Sequence, residues 1–201
     1  MWVVVWLALS FAPKGDEPVP LLVVLHGDRE HGRDAAARWR TATDKHHWAL
    51  LALDLPKGNS FWQEDPDPSW VIAAVDDFAN KRAIDRSRVY LVGWSGGATY
   101  IGMHVQAWKG TFAALVIHGG GRAPDDDACV ALPAYFLVGD KNPLHGHTKG
   151  LRAYFEGCHA DVKWDLVKGA DHAHEEAALT AKKGGAILDW LAAQSQGVSS
   201  R

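Results

Sequence analysis

The chain has 201 residues, a formal net charge of −3 and no block of basic residues. That length is typical of a single domain, residues 1–201, with a core large enough to need no metal ion. The small charge argues against nucleic acid or an anionic membrane surface as a partner and favours a small, largely neutral substrate.

The first twelve residues form an apolar run that is too short to span a bilayer as a helix. The run lacks a basic leading segment and is rich in Val and Trp, as a β-strand would be. We favour a strand here. The alternative is the apolar part of a secretory signal with cleavage near Ala12.

Farther along the chain, short apolar runs alternate with segments of helical periodicity. The predicted strands are Pro20–Leu25, Trp48–Leu53, Val89–Val92, Ala113–Ile117, Tyr135–Val138 and Val162–Val167, and the predicted helices are Arg33–Lys45, Ser69–Lys81, the segment after Ser95, Gly150–Phe155 and about Glu175–Ala193. Strands that are apolar throughout are typical of a parallel sheet that is covered on both faces. We therefore predict an α/β fold with a mostly parallel central sheet, helices on both faces, and functional loops at the carboxyl ends of the strands.

A glycine-rich segment, Gly93-Trp94-Ser95-Gly96-Gly97, directly follows one of these strands. A turn this tight from strand to helix needs glycine two residues before and two residues after the serine, because Cβ atoms there would clash. The serine then projects alone, close to the free N–H groups of the helix that follows. The pattern indicates a nucleophile elbow. The alternative is a glycine turn in which Ser95 only caps a helix.

Partners for Ser95 occur in the order that such a hydrolase requires. A serine hydroxyl needs a base to take its proton and a third group to orient that base. Asp140 follows the strand at Tyr135 and His172 lies after the next strand, which gives the order Ser, acid, His. We predict a triad of Ser95, Asp140 and His172. His174 remains an alternative base, and Asp171 is a weaker competitor for the acid.

The oxyanion of an acyl-transfer reaction needs backbone donors. We predict that they are the N–H groups of Gly96, just after the nucleophile, and of Asp28, after His26-Gly27. The segment His118-Gly119-Gly120-Gly121 matches a motif of some lipases, but it comes after the nucleophile. We interpret it as the exit loop of a strand.

These segments together resemble the α/β-hydrolase superfamily, and within it the polyhydroxybutyrate depolymerase-like and feruloyl-esterase-like carboxylesterases. Leu21–Gly27 is similar to the oxyanion strand of that family, and Ile84–Tyr90 is similar to the segment that leads into its elbow. The resemblance implies the α/β-hydrolase fold over nearly the whole chain. The elbow reads Ser95-Gly96-Gly97-Ala98 where the family typically carries Ser-x-Gly-Gly, which weakens the case for a polymer substrate.

The two cysteines precede the strands that lead to Asp140 and His172. If those strands are parallel neighbours, Cys129 and Cys158 emerge at the same, non-catalytic edge of the sheet and a disulfide can form. The alternative is two reduced thiols in the core. An oxidised pair favours a periplasmic or extracellular location, and a reduced pair favours the cytoplasm.

Few residues separate Gly121 from Leu132, where many relatives place a lid, so we expect a minimal, lidless and shallow site. Candidate wall residues are Trp62, Trp70 and Trp94, together with Leu144 just after the predicted acid. Tryptophan at the ends of elements also packs against sheets, so each of the three has a structural alternative.

The main hypothesis is a serine carboxylic-ester hydrolase that forms an acyl-enzyme on short-chain or carrier-bound esters, without metal or cofactor. Thioesterase or polyester depolymerase activity would use the same groups. Two less favoured hypotheses are a metal-dependent hydrolase, suggested by His145-Gly146-His147 and by the segment from Asp171 to Glu175, and a catalytically silent binding protein.

Overall fold

The computed structural model describes residues 8–56, 59–65, 67–126 and 128–196. The strands are β1 (Ala8–Phe11), β2 (Val19–Leu25), β3 (Ala49–Leu53), β4 (Ile84–Trp94), β5 (Ala114–His118), β6 (Ala134–Gly139) and β7 (Val162–Val167), and the α-helices are α1 (Gly32–His46), α2 (Ser69–Lys81), α3 (Gly96–Met103), α4 (His145–Gly157), α5 (His172–Ala178) and α6 (Gly184–Ala192). The prediction for the first twelve residues lies partly outside the described residues. Its described end, β1, is a strand.

The strands form one sheet in the order β1-β3-β2-β4-β5-β6-β7. Strand β1 runs antiparallel to β3, and all the other neighbouring strands pair in parallel. The prediction of a mostly parallel sheet between helices is confirmed. The strand order reverses between β2 and β4, so the loops after these two strands diverge and leave a crevice at the carboxyl edge of the sheet.

Alternate residues of β2 pack into the two halves of the core. Leu21, Val23 and Leu25 belong to the apolar cluster that includes side chains of α2, α3 and α4. Leu22 and Val24 belong to a second cluster, which includes side chains of α1 and α6. Burial of each such side chain contributes about 1.5–3 kcal/mol. The two clusters hold the central strands, and therefore the loops at their ends, in fixed positions.

The last predicted helix, Glu175–Ala193, is interrupted. A π-helical turn, Leu179–Lys183, separates α5 from α6. Leu179, the first residue of this turn, and Gly184, the first residue of α6, are both buried and lie five residues apart. The turn therefore shifts the apolar stripe by one residue, so that α6 can pack on the sheet while α5 faces the loops.

The cysteines form a disulfide. Cys129 lies before β6 and Cys158 follows the end of α4, with their Cα atoms 5.4 Å apart. The pairing ties the segment between β5 and β6 to α4, and the hydroxyl of Tyr154 adds a hydrogen bond of 2.6 Å to the carbonyl oxygen of Ala128. In the described part of that segment there is no helix.

None of the helices among the described residues is long and apolar enough to cross a lipid bilayer.

Candidate active site

The turn between β4 and α3 is held by close backbone packing. A Cβ on Gly93 would lie 2.5 Å from backbone atoms of Gly97 and Ala98, and a Cβ on Gly97 would lie 2.6 Å from the carbonyl oxygen of His26. Ser95 has a φ of 51°, which is unusual for a residue with a side chain. Such strain is typical of a nucleophile elbow, and it directs Ser95 toward the carboxyl edge of the sheet.

Helix α5 brings His172 to the serine. The Nε2 atom of His172 lies 3.0 Å from the Oγ atom of Ser95. The ring of His172 stacks on that of Trp94, with centroids 4.4 Å apart and planes 20° apart. His174 lies on the exposed side of the helix, where its Nδ1 atom is 2.7 Å from the carboxylate of Asp171. His172, and not His174, therefore faces the serine.

The structure does not join Asp140 to His172. The Asp140 carboxylate is exposed and accepts a hydrogen bond of 2.6 Å from the N–H of Gly169. The next residue, Lys141, donates its N–H to the carbonyl oxygen of Ala170 at 3.0 Å. These bonds tie the loop after β6 to the loop after β7 and hold the Asp140 carboxylate there. Within the part of the chain that the structure describes, no hydrogen bond or ion pair links Asp140 to His172.

Two other side chains lie at the Nδ1 atom of His172. The Nδ2 atom of Asn142 is 2.9 Å from Nδ1, and the Oε1 atom of Glu175 is 3.9 Å from it. Asn142 also donates from Nδ2 to Oε1 of Glu175 at 2.7 Å. Neither side chain belongs to the predicted triad. The sequence signal for Glu175 is its position three residues after His172, which puts both on one face of a helix.

The carboxylate of Glu175 is completely buried in a slot between the ends of β5 and β6. A Cβ on Gly119 would overlap its Oε1 atom, and a Cβ on Gly139 would lie 2.8 Å from its Oε2 atom. The N–H of Gly139 donates to Oε2. Gly119, in the predicted exit loop, therefore leaves room for this carboxylate, a role that the sequence did not suggest.

Burial shifts the pKa values of the groups in this cluster. It raises the pKa of Glu175 to about 7, although hydrogen bonds from Gly139 and Asn142 oppose the shift. It lowers the pKa of His172 below its ordinary value, against the opposing charges of nearby carboxylates, of which Glu176 has the largest effect. Complete burial lowers the pKa of His118 to about 3. Both histidines are therefore neutral at pH 7, which is the form that a general base requires.

An ion-pair network lies next to His172 and Trp94. The guanidinium of Arg38, on α1, contacts Glu30 at 2.7 Å and Glu176 at 2.5 Å. Glu30 in turn accepts a hydrogen bond of 2.9 Å from the N–H of Gly27. The network connects the loop after β2 with helix α5, and the guanidinium also lies 5.5 Å from the ring centroid of Trp94. It thereby links the predicted oxyanion loop to the helix that carries His172.

The predicted oxyanion residues lie side by side. Gly96 is the first residue of α3, so its N–H has no acceptor within the helix. The side chain of Asp28 packs against Gly96, where a Cβ would overlap the carboxylate. That carboxylate accepts a hydrogen bond of 3.0 Å from the N–H of Trp62. The structure thus brings the loops after β2 and β4 together beside Ser95.

A cavity of about 290 Å³ opens beside Ser95 and Gly96. Its walls also include Asp28, Gln63, Thr99, Arg122, Leu144 and His147. Most of these side chains are polar. Of the residues predicted to form the walls, Leu144 lines this cavity. A second groove, of about 590 Å³, lies at the loop between Arg29 and Arg33, and neither Ser95 nor His172 lines it.

The three tryptophans do not line this cavity. Trp62 is completely buried in the core, where its ring lies 6.0 Å from that of Trp70. Trp70 is half-buried against the same core cluster. The ring of Trp94 is covered by His172 and His118. Trp62 and Trp70 do not fit a role as substrate walls, because their apolar rings pack inward under the loop.

The histidine pairs that suggested a metal site are engaged elsewhere. His145 lies 3.0 Å from the carbonyl oxygen of Gly139 through Nδ1, and His147 lies at the cavity. Across the described residues, no group of three or more His, Cys, Asp or Glu side chains is arranged to hold a metal ion.

The sequence profile of the prolyl oligopeptidase family matches residues 66–121, a little over a quarter of the chain, which includes the elbow. No curated protein matches the chain by sequence.

Solved structures of esterases resemble the whole fold. A carboxylesterase of Bacillus cereus has a TM-score of 0.70 at 17% identity, with 94% of each chain covered. A phospholipase/carboxylesterase of Dyadobacter fermentans has a TM-score of 0.65 at 14% identity, with 90% of this chain and 98% of that chain covered. A thermostable esterase has a TM-score of 0.71 at 20% identity over 94% of this chain, which spans 59% of the length of that esterase.

Proposed function

Since the chain has the α/β-hydrolase fold, we propose that it is a serine hydrolase of carboxylic esters, with Ser95 as the nucleophile and His172 as the base. The observation that carries the proposal is the 3.0 Å approach of Nε2 of His172 to Oγ of Ser95, at a strained turn between a strand and a helix. A neutral imidazole at this distance can take the hydroxyl proton as the oxygen attacks a carbonyl carbon.

The reaction follows from the groups around the serine. His172 takes the proton of Ser95 while Oγ forms a bond to the ester carbonyl carbon. The N–H groups of Gly96 and Asp28 stabilise the oxyanion, and one such donor typically contributes about 10²- to 10³-fold in rate. The tetrahedral intermediate collapses, the alcohol leaves with the proton from His172, and an acyl-enzyme remains. Water, deprotonated by His172, then releases the acid and frees Ser95.

The cavity favours short acyl groups with some polar character. A volume of about 290 Å³ is near the lower limit of the range for ligand pockets, and five polar side chains besides Ser95 line the cavity together with Leu144. We infer that acetyl to butyryl esters fit this space and that decanoyl esters do not. The match to a peptidase family covers the elbow, a feature that esterases and peptidases share, so it does not favour amides over esters.

The test is the hydrolysis of p-nitrophenyl esters of increasing acyl length by wild type and by Ser95→Ala. We expect the acetate and butyrate to react at least about tenfold faster than the decanoate, and Ser95→Ala to lose at least about 10³-fold in kcat/KM. A fluorophosphonate should label the wild type covalently at Ser95.

Ser69→Ala is the matched control, because Ser69 is an exposed residue at the start of α2. It should keep wild-type activity and labelling. Undiminished hydrolysis by Ser95→Ala would refute the proposal, as would a wild-type protein that hydrolyses no ester and takes no label.

A further inference from the structure

The surroundings of the Asn142 amide determine what its nitrogen can donate to His172. Its Oδ1 atom accepts a hydrogen bond of 2.8 Å from the N–H of Leu144, which fixes the oxygen on that side. Its two Nδ2 hydrogens have acceptors in Oε1 of Glu175 at 2.7 Å and in the carbonyl oxygen of Gly119 at 3.2 Å. The Nδ1 atom of His172 also lies 2.9 Å from this nitrogen, and an amide nitrogen cannot accept a proton from the ring.

The Nδ1 atom of His172 then needs its own proton and an acceptor for it. A base that uses Nε2 must carry its proton on Nδ1. The nearest carboxylate oxygen in this direction is Oε1 of Glu175, at 3.9 Å. A shift of about 1 Å closes this distance to a hydrogen bond, and catalytic hydrogen bonds commonly tighten in this way when substrate binds.

We propose that Glu175 takes the place of the predicted aspartate as the acid of the triad: it accepts the Nδ1 proton of His172, and Asn142 and the N–H of Gly139 hold its carboxylate in position. Glu175 and Asn142 are positioning residues, which act on the substrate through His172. The inference rests on the proposed serine-hydrolase function.

The features of the slot support this role. The Glu175 carboxylate is completely buried between two strand ends at which Gly119 and Gly139 leave space for it. A buried carboxyl group without a function is costly, since desolvation opposes its ionisation. Its charge has most effect when His172 becomes an imidazolium during the reaction, because the site is screened little by water.

Other charged groups also face His172. Glu176, Glu30 and Asp171 favour its protonated form, and Arg38 opposes it. Glu30 and Glu176 both pair with Arg38, so their charges are partly neutralised. None of these three carboxylates has a contact with His172 as short as that of Glu175 among the described residues.

The test variants exchange carboxylate and amide groups at positions 175 and 142. Glu175→Gln keeps the shape of the side chain and removes the charge. We expect it to lower kcat by about 10²-fold or more with KM little changed, because the wrong tautomer of a catalytic histidine is costly. The double variant Glu175→Gln with Asn142→Asp places a carboxylate 2.9 Å from Nδ1. It should recover at least about tenfold of the lost kcat.

The second readout is independent of activity. The ¹⁵N chemical shifts of the His172 ring should report the Nδ1–H tautomer in the wild type and in the double variant, and a shift toward Nε2–H in Glu175→Gln. Asp140→Asn is the matched control, with an exposed carboxylate on the neighbouring loop, and it should change neither kcat nor the tautomer.

Each result separates the two proposals. A wild-type ring that carries its proton on Nε2, or a Glu175→Gln variant with unchanged tautomer and kcat, would overturn the role of Glu175. A loss in Glu175→Gln that the double variant does not recover, with the tautomer unchanged, would show a role in folding alone. Absence of ester hydrolysis in the wild type would refute the proposed function and leave the tautomer measurement valid.

Discussion

Helix α5 and its N-cap residue carry two histidine–carboxylate pairs, each with the residues three apart. The two pairs differ in the distance between the charged atoms and in the burial of the carboxylate. His174 and Asp171 lie 2.7 Å apart, and both side chains are more than half exposed. His172 and Glu175 lie 3.9 Å apart, with His172 against the serine and Glu175 completely buried. The shorter contact belongs to the pair on the surface.

Distance alone therefore does not show which of the two pairs belongs to the candidate site. Asp171 is the N-cap of α5 and accepts the backbone N–H of His174, so the closer pair stabilises the start of a helix in solvent. A surface ion pair contributes little, because water and salt screen it. In the buried pair, His172 also lies 3.0 Å from Oγ of Ser95, and the charge of Glu175 is screened much less.

The largest effect should separate the two histidines. His172→Ala removes the base, so we expect kcat/KM on a p-nitrophenyl ester to fall by at least about 10³-fold. His174→Ala should stay within about twofold of wild type, because His174 has no contact with Ser95 in the described structure. The reverse result would make the exposed pair the catalytic one.

The next prediction tests the packing of the slot around Glu175, which the exposed pair of His174 and Asp171 lacks. In Gly139→Ala, the new Cβ would overlap the carbonyl oxygen of Ala170 and crowd Glu175, so we expect a loss of about 1–3 kcal/mol in the free energy of unfolding. Gly150→Ala is the control: this glycine lies in α4 with open space around it, and alanine there should stabilise by up to about 1 kcal/mol. Chemical denaturation measures both. Equal effects would mean that the slot is not tightly packed.

The last effect is the pH dependence of stability. The pKa of Glu175 is raised from 4.5 to about 7, so between these values the folded protein holds a proton that the unfolded chain has lost. Stability from this group is complete below pH 4.5 and is lost as the pH rises through 7. Glu175→Gln should therefore gain stability relative to the wild type over this interval. A parallel pH dependence for wild type and Glu175→Gln would contradict the shift.

The outline of the fold was predictable because the signals for strands, helices and the turn at Ser95 are local. The apolar run at Leu21–Leu25 and the helical spacing from Ser69 to Lys81 each report burial directly. The glycines around Ser95 report a steric requirement that any chain must meet at such a turn. The π-helical turn at Leu179–Lys183 was not predictable in this way, since it depends on how α5 and α6 meet different surfaces.

The walls of the site were less predictable. Trp62 lies before α2 and Trp70 lies in its first turn, where side chains point inward or outward according to the tertiary packing, and the core has room for both rings. Arg122 and His147 reach the cavity beside Ser95 from separate segments of the chain, which no spacing in the sequence brings together.

The sequence by itself pointed to Ser95 at a tight turn, to the order of the loops that follow the strands, and to His172 and His174 as the two candidate bases. The tertiary structure decided which histidine faces Ser95 and which carboxylate lies nearest its ring. Asp140 has the right place in the chain, but its carboxylate accepts the N–H of Gly169, and the N–H of Lys141 donates to Ala170, so the Asp140 carboxylate is held away from His172. Glu175 reaches that ring because two glycines on neighbouring strands leave a space for it. The fit of a side chain into such a space depends on contacts between distant segments, which local sequence patterns do not contain.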